Sequence, residues 1–253
     1  MRQRHEPSGA VWLDADLASV EEHLALDEAL LAEAHEGRAA ATVVRTWTAR
    51  EPVVVVGSSS RLADEVDLEA CREAGARIVR RPSGGLTVVL GPGCLMWSVV
   101  EPHPAGAPAI DRIHARMLDP LCTALSRALG ASGGVSRRGS SDLVVERPDG
   151  ARKVSGNALR VRRHGVLYHG TLLDDFDIGL VGRVLRHPPR EPAYRARRSH
   201  GAFLANLGLG AAAITEAVRA AFATACSRSD WPRETVARLV AERYANPAWT
   251  ARL

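Results

Sequence analysis

The 253 residues carry 33 Lys plus Arg against 29 Asp plus Glu, a net charge of +4, with 46% apolar and 4% aromatic side chains. That apolar share supports a buried core in one large domain or one domain with an appendage, while a mild, dispersed positive charge with few aromatics does not make a nucleic-acid surface. Four separated cysteines, no apolar run of membrane-spanning length and no signal-peptide pattern at Met1–Ala10 argue against a disulfide framework, a structural zinc and a membrane span, so the cytoplasm is the expected location.

Residues 19–36 are predicted to form the first helix. Ser19 and Glu22 make a capping box, Val20, Leu24, Leu31 and Ala34 share a face, and Gly37 stops it. Thr42–Trp47 and Val53–Val56 are predicted strands, the second apolar throughout and so buried on both faces. A helix over Arg61–Ala74 and a strand over Arg77–Arg80 lead into Arg80-Arg-Pro-Ser-Gly-Gly85. Strands Leu86–Leu90 and Cys94–Val100 follow, joined by the turn Gly91-Pro-Gly93. A Pro-rich connector precedes a long helix over Ile110–Leu129. Asp142–Glu146, Lys153–Val161 and Val166–Leu173 are predicted as a three-stranded antiparallel meander. Asp177–Leu185 is a short helix, His187–Arg198 a Pro- and Arg-rich loop, and Ala211–Cys226 and Arg233–Tyr244 are C-terminal helices. The order predicts an α+β fold with a mainly antiparallel sheet.

Lys153 is the only lysine; the other 32 cations are arginine. A coding preference for arginine accounts for most of that bias, which makes the exception informative: a position that keeps an ammonium needs a compact charge on a flexible stem. Lys153 stands beside Ser155 and Gly156, which let a backbone approach a ligand closely. In Arg80–Gly85, convergent backbone N–H groups around Gly84 and Gly85, the Ser83 hydroxyl and the Arg81 guanidinium make an anion cradle. The plain alternative there is a glycine hairpin with surface arginines. Gly208–Ala213 follows no buried strand and is not a dinucleotide fingerprint, and no Gly-x-Ser-x-Gly elbow occurs. His164, His169 and His200 have no metal-ligand spacing, and His169 within a strand is ordinarily a hydrogen-bonded core residue. Cys94 is ordinarily a small buried apolar residue. Arg195, Arg197 and Arg198 form a solvated loop face able to steer an acidic partner.

These stretches together resemble the lipoate–protein ligase A family of the biotin/lipoate protein ligase superfamily. The matching elements are Leu24-Ala-Leu-Asp-Glu-Ala-Leu-Leu31, Arg80–Gly85 with Gly93, Asp142-Leu-Val144, Arg152–Gly156, His169-Gly-Thr-Leu-Leu173 and Asn206-Leu207, in order, over roughly residues 20–207. The resemblance implies a two-layer domain of helices and mainly antiparallel sheets over residues 1–210, with 211–253 a helical segment packed on it. It implies that Lys153 holds the acyl carboxylate and the α-phosphate of an acyl-adenylate, and that Arg81 clamps phosphate. Ser83, Gly84, Gly85 and the backbone from Leu86 through Thr87 and Val88 to Val89 would meet the nucleotide. Asp142, Ser155, Gly156, His169, Gly170 and Thr171 would complete the site, and no protein-bound metal is implied.

The implied substrates are ATP with Mg2+ and lipoate or octanoate. The implied acceptor is a lysine of a lipoyl carrier domain, of the glycine cleavage H protein or 2-oxoacid dehydrogenase E2 type. Leu86 stands where the family has a third glycine, and Ser141 where it often has asparagine. The chain ends too soon for the additional C-terminal domain of bacterial ligases, which leaves two alternatives: a separate accessory subunit assists, or the protein makes no adenylate at all. The alternative within the family is an octanoyl or lipoyl transferase fed by a carrier thioester. Such transferases use a cysteine shortly before the lysine motif or about one helix after the His-Gly strand; this chain has Ser140-Ser-Asp142 and His187-Pro-Pro-Arg190 there. A non-catalytic binder of lipoylated domains would not need the Lys153 ammonium.

Overall fold

A computed structural model describes residues 9–253. Residues 1–8, part of the stretch read above for a leader, lie outside the described residues.

After β1 (Val11–Leu13) comes α1 (Val20–His35), started by the expected capping box: the Ser19 hydroxyl accepts the Glu22 N–H, and Glu22 accepts the Ser19 N–H. The helix is not the amphipathic element that its apolar stripe predicts. Leu24 through Leu31 are buried without interruption, because one side of α1 packs on the main sheet and the other on C-terminal helices. Its polar side chains His23, Asp27 and Glu28 are therefore interior and must find partners there.

β2 (Val43–Thr48) and the fully buried β3 (Val53–Val56) follow as predicted. The helix expected over Arg61–Ala74 is two, α2 (Leu62–Glu65) and α3 (Leu68–Glu73). Val66 is extended, and the Asp67 carboxylate accepts the Glu69 and Ala70 N–H groups to start the second. This crossover sets β4 (Arg77–Arg80) parallel to β3, and β5 (Val88–Leu90) returns antiparallel on the other side. The Arg81–Thr87 loop thus hangs at one end of a three-stranded sheet of order β4-β3-β5.

β6 (Cys94–Pro102) is the spine of a six-stranded sheet and is buried from Cys94 to Glu101. Cys94, Met96 and Val100 face one core with α1, and Leu95, Trp97 and Val99 face a second core with α4 (Ile110–Leu129). β7 (Val135–Arg138), β8 (Asp142–Val145) and β9 (Arg152–Ser155) form another three-stranded sheet, order β7-β8-β9. The strand predicted over Lys153–Val161 breaks at Gly156: β9 ends in this small sheet, while β10 (Asn157–Arg162) crosses to the large one and pairs with β11 (Gly165–Leu173). The expected meander is thereby divided between two sheets.

α5 (Ile178–Val184), α6 (His200–Phe203) and α7 (Ala211–Ala221) follow, and α7 packs against α4. Residues 211–253 are not purely helical. β12 (Cys226–Arg228) pairs with β1 and completes the sheet order β10-β11-β6-β2-β1-β12. α8 (Arg233–Leu239) and a π-helical turn at Val240–Tyr244 cover α1, and α9 (Pro247–Thr250) packs on β4. There the Arg80 guanidinium donates to the carbonyls of Thr250 (2.8 Å), Gly57 (2.7 Å) and Ser60 (2.8 Å), and Trp249 Nε1 donates back to the Arg80 carbonyl. Most strand pairs are antiparallel, so the chain is a mixed α+β fold. Among the described residues no helix is long and apolar enough to cross a membrane.

Leu118 is fully buried in the second core. Leu118→Ala is expected to cost about 2–5 kcal/mol, because the void cannot collapse between α4 and the sheet. Urea unfolding with an unchanged m-value is the check; a loss under about 1 kcal/mol would show a plastic core.

Candidate active site

Gly156 brings the chemistry together. As β9 leaves its sheet, the Thr171 N–H of β11 donates to the Gly156 carbonyl at 3.0 Å, so the Lys153 strand lies against the middle of β11. From β9, Lys153 Nζ reaches Asp142 Oδ1 on β8 at 2.7 Å. The Tyr194 hydroxyl donates to the other Asp142 oxygen at 2.8 Å, and burial beside Asp142 pushes the Tyr194 phenol well up. The ammonium is tethered, and the Lys153 side chain stays about one-quarter exposed.

Two adjoining cavities meet at that ammonium, of about 260 and 140 Å³. Both are lined by Leu86, Thr87, Val88, Asp142, Lys153, Gly156 and Thr171. The larger runs between α1, the Gly-rich loop and the main sheet, past Leu24, Trp47, Val55, Leu90 and Met96. The smaller has an apolar floor including Phe176, Leu185 and Phe203, and its wall carries Arg186, Arg190 and Arg195. The structure thus gathers Arg81, Gly85, His169 and Gly170 around the first cavity, and Val89 and Ser155 around the second. Ser83 and Gly84 line neither.

The anion cradle is built differently from its sequence reading. Arg81 is buried, and its guanidinium closes its own loop: Nε donates to Ser83 Oγ (3.0 Å), Nη1 to the Val55 carbonyl (3.0 Å), and Nη2 to the carbonyls of Gly84 (2.6 Å) and Leu86 (2.9 Å). Burial pushes it down to about 10, against the opposing pull of Glu65. One N–H is left for any phosphate. The Thr87 N–H and hydroxyl both donate to Glu65 Oε2 at 2.7 Å, so part of the expected nucleotide cradle already holds a carboxylate. Gly85 has φ +86, and a Cβ on Gly57 would collide with the Gly85 carbonyl, so this bend tolerates no side chain behind it. The arginine loop is also not a free surface. Arg195 is buried, Arg198 donates to the carbonyls of Ala151 and Tyr194, and Arg197 alone of the three is exposed.

Sequence reasoning missed a buried polar group behind the larger cavity. Asp27 accepts from Arg45 Nε (3.0 Å), Ser98 Oγ (2.8 Å) and His169 Nδ1 (3.1 Å), and His169 Nε2 lies 2.6 Å from Ser83 Oγ. His23 stacks on Trp47 and accepts from Arg45 Nη1 at 3.0 Å. The available signal was a carboxylate at position 27 inside the 20, 24, 31, 34 apolar stripe. Ser83–His169–Asp27 has the order of a hydrolytic triad, but the hydroxyl is sealed from both cavities.

The family described as the lipoyl protein ligase A/B catalytic domain matches residues 19–226. The chain belongs to this family. An octanoyltransferase LipM of Symbiobacterium thermophilum is 35% identical over 69% of this chain and 68% of its own. One of Carboxydothermus hydrogenoformans is 32% identical over 70% of each. A putative lipoate-protein ligase A of Aeropyrum pernix is 34% identical over 64% of this chain and 57% of its own. Among solved structures, a bi-partite lipoate protein ligase of Thermoplasma acidophilum, studied with its E2 lipoyl domain, superposes with a TM-score of 0.81 at 21% identity, covering 97% of both chains. A lipoate-protein ligase A bound with ATP gives 0.75 at 20% identity, covering 97% of this chain and 99% of that one. The protein is therefore an enzyme of the lipoate ligase/octanoyltransferase family with the lipoate-protein ligase catalytic fold.

In this lipoate ligase-family protein the buried group behind the cavity makes stability pH-dependent. Burial, then the Arg45 charge, push His23 down to about 3, against a smaller pull from Asp27. The unfolded chain protonates His23 below its ordinary 6.5, so this contribution is complete above about 6.5 and is lost as pH falls toward 3. Burial alone would raise Asp27; Arg45, with the His169 and Ser98 hydrogen bonds, overcomes it and holds the carboxyl at about 2, so its contribution is lost below about 4. Urea unfolding at about pH 7.5 and about pH 5 should differ by about 2 kcal/mol on account of His23, a difference largely absent in His23→Gln. An equal slope in both proteins would refute the assignment.

Proposed function

We propose that the protein is an ATP-dependent acyl–protein ligase that joins lipoate or octanoate to a lysine of a lipoyl carrier domain. The observation carrying this reading is that no cysteine lines either cavity. Cys71 and Cys94 are buried, and burial pushes the Cys94 thiol up to about 12. Burial, with the Asp119 charge, pushes Cys122 up to about 11, and Cys226 is exposed on β12. The two places where related transferases carry cysteine do reach the site, as Ser141 in the wall of the larger cavity and Pro188 and Arg190 in the smaller. The site is thus a transferase-like location without a thiolate.

The chemistry follows from the two arms. The apolar arm past Leu24, Trp47, Val55 and Met96 suits an acyl chain, whose carboxylate then arrives at Lys153. The second arm suits a nucleotide. Arg186 and Arg190 supply positive charge, and the buried Arg195 Nη2 has no hydrogen-bond partner among the described residues. A carboxylate oxygen attacks the α-phosphorus of ATP, which enters with its Mg2+, and pyrophosphate leaves. The carrier lysine's amine then attacks the acyl carbonyl, and AMP leaves with the amide formed. Lys153, held by Asp142, donates to the carboxylate and phosphate oxygens where negative charge gathers. The neighbouring structures, one bound with ATP and one studied with its E2 lipoyl domain, support this substrate pair, and the bi-partite one supports a second subunit. The other reading, octanoyl transfer from a carrier thioester, is favoured by the two LipM relatives.

The deciding assay is lipoate-dependent ATP–pyrophosphate exchange, with an accessory subunit added where the chain alone is silent, and carrier mass as the second readout. A variant with all four cysteines replaced by Ser or Ala should keep exchange and acylation. Acylation from an octanoyl carrier thioester without ATP would overturn the ligase reading. Lys153→Arg should lower exchange on the order of a hundredfold, since a wide planar guanidinium cannot sit between two oxygens in the place of an ammonium. Its melting curve should stay within about 1 kcal/mol of wild type. Exchange within a few-fold of wild type would remove Lys153 from the mechanism.

A further inference from the structure

Asp27 lies on α1, remote in sequence from the Gly-rich loop, yet its carboxylate is 1% exposed and sits behind the larger cavity with His169. Its two oxygens divide their partners. Oδ1 takes Arg45 and Ser98, and Oδ2 takes His169 Nδ1. The carboxylate is ionised by the Arg45 pairing and can only accept. A ring with one proton must then carry it on Nδ1, which leaves Nε2 as a bare acceptor. The Ser83 hydroxyl, 2.6 Å away, is obliged to donate to Nε2, and its oxygen is free to accept the Arg81 Nε–H at 3.0 Å.

We infer that Asp27 is a positioning residue of this site, fixing the direction of the hydrogen-bond chain Arg81 to Ser83 to His169 to Asp27 and so the tautomer of His169 and the seat of Arg81. Every donor in the chain points toward the buried carboxylate, so Arg81 turns its Nε inward. Its Nη groups are then left to hold the carbonyls of Val55, Gly84 and Leu86, which set the bend of the loop at the junction of the cavities. Both ring nitrogens of His169 are engaged, so this histidine presents carbon to the larger cavity and is not the base for the acceptor amine. A reversed tautomer would give Ser83 two donors and leave its own proton without an acceptor in the chain. An apolar residue would fill position 27 at lower cost than a buried ion pair, which points to orientation rather than stability as what the carboxylate supplies. What the loop is held ready for rests on the ligase reading above; the direction of the chain does not.

The direct test is 15N NMR of histidine-labelled wild-type protein, with His169 assigned by its loss in His169→Gln. A pyrrole-type Nδ1 and a pyridine-type Nε2 at neutral pH are expected; a proton on Nε2 overturns the proposal whatever the enzyme catalyses. Asp27→Asn should reverse the tautomer, but it strands Arg45 and can fail to fold. Ser83→Ala is the second variant, since it cuts the chain while leaving Asp27, Arg45 and His169 paired. It should keep the His169 tautomer and a melting temperature close to wild type. Its KM for ATP in the exchange assay should rise about tenfold, the worth of one oriented buried hydrogen bond. Ser83→Thr, which keeps the hydroxyl, should restore most of the affinity. A KM within twofold of wild type in Ser83→Ala shows that the chain positions nothing. Absence of exchange in the wild type would sink the ligase reading, and the tautomer measurement would still decide the direction of the chain.

Discussion

The seam at Gly156 is the constraint on which the site depends. One extended run of sequence enters it as part of a three-stranded sheet and leaves it as the edge of a six-stranded one, held at the crossing by the Thr171 N–H on the Gly156 carbonyl. A Cβ at Gly156 would crowd the Lys153 ammonium, and one at Gly170 would collide with the Asn157 side chain and the Gly156 carbonyl, so β11 passes the crossing only as glycine. Asn157 in turn donates to the Ser141 carbonyl, tying the strand that carries Asp142 to the same crossing. The two cavities are the space that two sheets leave where they diverge, and the lysine is placed by the divergence.

The protein is rich in arginine but spends its central pair on backbone carbonyls. Arg80 donates to three carbonyls in two separate segments and Arg81 to its own loop and to Val55 on β3, and both lie where a short ligand-facing turn has too few regular hydrogen bonds to fix its shape. A planar fork with five donors suits that task, and an ammonium does not. The division of labour agrees with the single lysine: cations that brace the scaffold are arginine, and the cation at the cavity junction is not.

The capping box of α1, the boundaries of α4, the buried run Val53–Val56 and the convergence of the Lys153 and His169 stretches on one cavity were legible because each depends on local pattern or on a residue type standing out. What was not legible depends on distant partners. The Lys153–Val161 run has strand character on both sides of Gly156, and nothing local says that its halves join different sheets. Arg61–Ala74 has helical composition, but Asp67 captures two N–H groups and starts a second helix within it. Arg81 followed by serine and two glycines looks like a phosphate clamp until the carbonyls of Val55 and Leu86 are brought beside it. Position 27 interrupts an apolar stripe, yet its meaning needs Arg45, Ser98 and His169 from three other strands.

The Gly-rich loop is braced from the far end of the sequence, by the Thr250 carbonyl on Arg80 and the Trp249 indole on the Arg80 carbonyl. Contacts that span about 170 residues are costly to close early, since most of the loop entropy must be lost before they form. The local βαβ unit that carries Arg80 can assemble from its own neighbours, but the final setting of the loop waits for α9 to dock. A refolding protein should therefore recover its bulk secondary structure before it recovers a shaped site, so regain of catalytic competence trails regain of fold.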